Sequence, residues 1–143
     1  MAIKNRLSRP TICRYETLYD VDIVVADDKV TLEQLNKQFK YADGDDLSDD
    51  ILGGGATTTP VIDRATGKCC SLIKFNDFGN KTKQEKALTI VEYITHESMH
   101  SALDIFAHIG ESVDPFKSNE PLAYLVGYIA KCAYKTLNRI WYE

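Results

Sequence analysis

The stretch that decides the fold is Thr82–Gly110, TKQEKALTIVEYITHESMHSALDIFAHIG. Ala87, Leu88, Ile90, Val91, Ile94, Met99, Leu103, Phe106 and Ile109 recur within it at helical spacing, which predicts one broad apolar face. Thr82 stands three residues before Glu85, the pattern of a capping box, and Gly110 follows as a left-handed stop. A helix over 82–109 is therefore expected, with His96-Glu97-Ser98-Met99-His100 near its middle. Two histidines four residues apart project from one side of a helix, one turn from each other. Both imidazoles can then reach a single zinc ion, and the glutamate between them becomes a general base beside it.

Upstream, Thr17–Ala26 (TLYDVDIVVA) is rich in β-branched residues and predicts a strand with one face on the core. Thr31 and Gln34 form a second capping-box pair, and Leu32, Leu35 and Phe39 follow at helical spacing, so a short helix is expected over 31–40. Thr57–Phe75 reads as a hairpin, TTTPVID and CCSLIKF around a turn at 64–68. Pro60 cannot donate to a ladder and marks its strand as an edge or delays its start. Downstream of the long helix, Asn119 or Ser118 can cap a final helix over 119–140, with Pro121 in its first turn. Its aromatic series, Tyr124, Tyr128, Tyr134, Trp141 and Tyr142, reads as helix packing. The whole predicts one α+β domain over residues 1–143. A small mixed or antiparallel sheet of three or more strands packs on the long helix and on an antiparallel C-terminal helix, with 1–13 as an irregular arm.

Composition narrows the function. The chain has 143 residues, enough for one core, and its net charge of −4 comes without a basic block beyond the first residues, so nucleic-acid binding is not expected. No apolar run approaches the ~20 residues that span a bilayer, and the first residues lack the apolar centre of a secretory signal. Cys13, Cys69, Cys70 and Cys132 form no CxxC pair and read as free thiols of a cytoplasmic protein. The acidic run Asp43–Asp50 is no EF-hand loop, because counting from Asp43 the required glycine and glutamate positions hold Ser48 and Gly54. His108 does not fit the metzincin pattern, whose third histidine would fall at Phe106.

A catalytic zinc takes three protein ligands and keeps one position open. Glu120 is the candidate third ligand beside His96 and His100, because a helix returning after Gly110 would bring it back toward the pair. HESMH, nineteen residues, then Glu120 within Ser118-Asn119-Glu120-Pro121 resembles the gluzincin metallopeptidases, the thermolysin-like group. The resemblance covers roughly residues 90–130. It implies His96, His100 and Glu120 as zinc ligands, Glu97 as catalytic base, and Asn119 as a supporting neighbour of the ligand. The aspartate that the family places one turn after its glutamate is Tyr124 here, and Asp104 is the available substitute. Tyr124 and Tyr128 are the candidates for stabilising the tetrahedral intermediate. The same stretch also resembles small HExxH proteins encoded by bacteriophages and prophages, which implies a host cytoplasm or a virion as the setting. Two functions follow as expectations. One is a zinc-dependent hydrolase acting on a peptide or protein. The other is a non-catalytic phage structural or interaction protein, bound to phage partners or to its own copies, that retains the metal site or a degenerate form of it.

Overall fold

The computed structural model describes residues 9–140; the first eight residues of the expected arm, with Trp141 and Tyr142, lie outside the described residues. Five strands form one mixed sheet: β1 (Ile12–Tyr15), β2 (Asp22–Ala26), β3 (Phe39–Tyr41), β4 (Ala56–Asp63) and β5 (Cys69–Phe75), in the order β1-β2-β5-β4-β3. β2 and β5 are parallel, and every other neighbouring pair is antiparallel. Helix α1 (Leu32–Gln38) and a 3₁₀ turn (Asp49–Leu52) lie on one face of the sheet. Helices α2 (Lys83–Ile109) and α3 (Glu120–Leu137) lie on the other. The α+β class and the pairing of a small sheet with two long helices agree with the expectation.

Burial explains the layering. β2 (DIVVA) is buried along its whole length, as a strand covered on both faces must be. Ile23, Val25, Ile73 and Phe75 pack with Ile105, Leu125 and Ile129 of the long helices, whereas Val24, Ala26 and Leu72 face Leu35, Phe39 and Ile51. Both predicted capping boxes are formed, Thr31 with Gln34 and Thr82 with Glu85, and Gly110 ends α2 at φ 78°. The hairpin over 57–75 is also present, one residue longer at its start.

Five expectations need correction. Residues 12 and 13, the end of the expected arm, belong to strand β1, held by antiparallel pairing to β2. The strand expected from Thr17 begins only at Asp22, because 16–21 make the turn between β1 and β2, where Thr17 Oγ1 donates to the Val21 carbonyl and accepts from Tyr19 N–H. Phe39 leaves the short helix to start β3, since its ring is buried and its backbone pairs with Asp63. Finally, only part of the expected apolar face of α2 is buried: Ile94 and Phe106 are buried and Ile90 and Ile109 pack on the core, whereas the rest of the buried side is made by other residues. Thr89, Ile94, Glu97, Ser98, Ser101, Ala102, Ile105 and Phe106 are buried, while Leu88 (73% exposed), Val91, Met99 and Leu103 face outward. Small side chains at 98, 101 and 102 let α2 lie close on the sheet, and Ser101 shares a 2.7 Å hydrogen bond with Ser71 of β5. In α3, Asn119 holds the N-cap position without a side-chain cap bond, and the helix ends at Leu137 rather than 140.

β4 is interior by order, yet β3 pairs only with Val61–Asp63. Among the described residues, Ala56–Pro60 pair with β5 on one side and with no strand on the other, so Pro60 loses no ladder partner there.

Two outcomes are expected from this packing. Ile129 is fully buried between α3 and the sheet, so Ile129→Ala should cost about 2–5 kcal/mol in urea unfolding. Arg14, 2.6 Å from Asp63, holds the Asp63 carboxyl below its ordinary range, chiefly through that hydrogen bond. The unfolded chain then binds this proton first, so the contribution is present at neutral pH and disappears as pH falls through the depressed value. Arg14→Met should therefore flatten the acid limb of the stability profile.

Candidate metal centre

His96 and His100 both stand on the exposed side of α2. Their Nε2 atoms are 3.1 Å apart, and the rings meet edge-on with centroids 4.7 Å apart at 69°. Zinc takes imidazole nitrogen at about 2.0–2.1 Å, so two nitrogens at this separation can both touch one ion. Donor type and spacing fit zinc for two ligands.

Glu97 is the next residue along the helix and is turned by about 100° toward the sheet. It is only 6% exposed, and its Oε2 accepts a 2.5 Å hydrogen bond from Thr58 Oγ1 on β4. The same hydroxyl lies 3.3 Å from the Glu97 main-chain carbonyl. Oε1 has no hydrogen-bond partner among the described residues. HExxH is thus split over two sides of the helix: imidazoles toward solvent, carboxylate in the seam between α2 and β4. Further along that seam, Ser98 Oγ is buried without a protein partner.

The structure does not bring Glu120 to the histidines. Among the described residues, no group of three or more His, Cys, Asp or Glu side chains is arranged to hold a metal ion. The reason is length: α2 continues nine residues past His100 to Ile109, about 13 Å along its axis, before the chain turns back. Glu120 is the first residue of α3 and is exposed at that far end, with Asn119 in a groove lined also by Phe106, Lys117 and Leu122. Asp104 is half-buried one turn beyond His100. Burial pushes its carboxyl up, and the nearby His100 pulls it partly back. His108 is exposed and, with Asp104, borders a small cavity of about 100 Å³ beside Pro60 and Cys69. Tyr124 and Tyr128 line a separate groove of about 690 Å³, with Glu16–Tyr19 and Pro121, whose walls include none of His96, Glu97 and His100. Tyr128 donates its hydroxyl to the Glu16 carbonyl at 2.6 Å, which ties α3 to the turn before β2.

Thr58 is the site residue that sequence reasoning missed. Alternation along TTTP shows that Thr58 points opposite to Thr57 and Thr59, but not which helix residue it meets.

Because the imidazole pair is already formed, zinc should raise the thermal midpoint of the wild-type chain. At a concentration a hundredfold above Kd the gain is about 2.7 kcal/mol, and His100→Ala should abolish it. No protein-family model, curated protein or solved structure matches the chain.

Proposed function

We propose that this chain is a zinc-dependent hydrolase of the HExxH type, acting on a peptide or protein. The observation that carries the reading is the 3.1 Å separation of His96 Nε2 and His100 Nε2; the Glu97 carboxylate of the same motif is bonded to Thr58 in the α2–β4 seam. His96 and His100 would hold the metal. Glu120 is proposed as the oxygen ligand on the strength of the gluzincin resemblance, although it does not stand with the pair here. A bound zinc would supply Lewis acidity toward a substrate carbonyl and lower the pKa of water. Glu97 would be the general base of that chemistry, as the gluzincin resemblance implies. The open side of Ala56–Pro60, on the strand that carries Thr58, offers main-chain donors and acceptors to an extended peptide.

A second reading is a phage structural or interaction protein that keeps the histidine pair for binding alone. It is favoured by the two-member ligand set and by the outward apolar residues Leu88, Val91, Met99 and Leu103, which a partner or a second copy would cover. Among the described residues no helix is long and apolar enough to cross a membrane. The four free cysteines support a reducing setting, a host cytoplasm or a virion assembled there.

Elemental analysis and digestion of a peptide pool test the two readings together. The hydrolase reading expects one zinc per chain, weaker binding in Glu120→Ala, and a Glu97→Gln variant that keeps zinc while kcat falls about 10²–10⁴-fold. Zinc without turnover moves the assignment to the binding reading. A chain that takes no zinc after reconstitution, or a fully active Glu97→Gln, sinks the hydrolase.

A further inference from the structure

We infer that His96 and His100 are one half of a zinc site that a second copy of this chain completes, two histidine pairs holding a single ion between them. This rests on the binding reading above, in which the pair serves for binding alone. The imidazoles already stand at the required spacing. Two nitrogens 2.0–2.1 Å from zinc at the tetrahedral angle lie about 3.3–3.4 Å apart. His96 Nε2 and His100 Nε2 are 3.1 Å apart. Two protein ligands alone do not make a zinc site, since structural sites take four and catalytic sites three. The carboxylates one turn to either side of the pair, Glu92 and Asp104, do not complete it: among the described residues no three such groups stand together. Each chain thus offers two ligands, and two chains offer the four of a closed tetrahedral site.

The surface around the pair suits that partner. Residues three and four apart are neighbours on a helix, so His96, Met99, His100 and Leu103 form one continuous patch of α2. All four side chains are exposed. A two-fold axis sets this patch against its own copy, so that Met99 and Leu103 are covered as the imidazoles meet. The patch is small, however. A stable interface takes about 20–30 residues a side, and the outward apolar residues of α2, Leu88, Val91, Met99 and Leu103, fall far short of that. Apolar contact alone therefore does not hold two copies together, and their association depends on the metal. With four imidazoles bound, the ion keeps no open position and is a structural centre.

The test is sedimentation of the full chain with zinc added from none to one equivalent, and with the metal counted in each separated species. A dimer holding one zinc per two chains is expected, returning to monomer on chelation. His96→Ala and His100→Ala should each stay monomeric at the same zinc level, with metal-free urea midpoints like the wild type because both side chains are exposed. Should one of them fail to fold, the other decides. His108→Ala removes the third histidine, exposed about two turns past His100, and should leave the dimer as it is. Met99→Lys keeps the pair but sets like charges against each other, and should weaken the zinc-dependent association about tenfold or more. A zinc-loaded chain that stays monomeric with one ion each overturns this inference alone and leaves the hydrolase reading in place. So does a dimer that persists in chelator, forms without either histidine of the pair, is lost in His108→Ala, or is as tight in Met99→Lys as in the wild type. A chain that takes no zinc overturns the pair as a metal site, and with it both readings that use it.

Discussion

The close seating of α2 on β4 and β5 is the contact on which the rest of the molecule depends. It is made by small and polar side chains: Ser98, Ser101 and Ala102 are fully buried, and Ser101 meets Ser71 at 2.7 Å. A helix resting on large aliphatic residues would stand further from the sheet, and Glu97 would not reach Thr58. This approach also fixes the rotation of α2 about its axis. Once 97, 98 and 101 face the sheet, His96 and His100 must face solvent, because residues on a helix are spaced by about 100°.

The sheet is built to support that contact. β2 and β5 form its parallel centre and are covered on both sides, and even Lys74 is drawn into the interior. Its ammonium donates to the carbonyls of Asp27 and Phe75, and burial pushes its pKa down. On the flank of this centre, ion pairs join separate strands: Arg14 of β1 with Asp63 of β4, and Lys68 before β5 with Asp22 of β2. In the first half of β4 one side carries no strand among the described residues, because β3 is too short to follow. Thr58, which bonds the Glu97 carboxylate of α2, lies in that same stretch.

Chemically, the molecule separates two kinds of surface. The imidazole pair and the carboxylate of HExxH share one segment of α2 but occupy different environments, one wet and one nearly dry. The tyrosine-lined groove between α3 and the turn before β2 is elsewhere and shares no wall with the histidines. The outward aliphatic side chains of α2 lie on the solvent side of the same helix.

Local chemistry was legible in the sequence, and distance was not. Both capping boxes, the glycine stop of α2, the 57–75 hairpin and the one-turn spacing of His96 and His100 follow from residues within a few positions of each other, where backbone geometry leaves little choice. Hydrophobicity locates only part of the buried face of α2, Ile94 and Phe106 with Ile90 and Ile109 packed on the core. Here close packing and a hydroxyl pair favoured Ser98 and Ser101 over Leu88 and Val91. A helix returning after Gly110, and the gluzincin resemblance, put Glu120 beside the histidines. The return alone does not set how far α2 runs past His100, and that length puts Glu120 at the far end. Thr58, which is 39 residues from Glu97 in the chain, reaches it only because β4 folds under α2. That pairing was decided by tertiary structure, since no local preference of either residue encodes it.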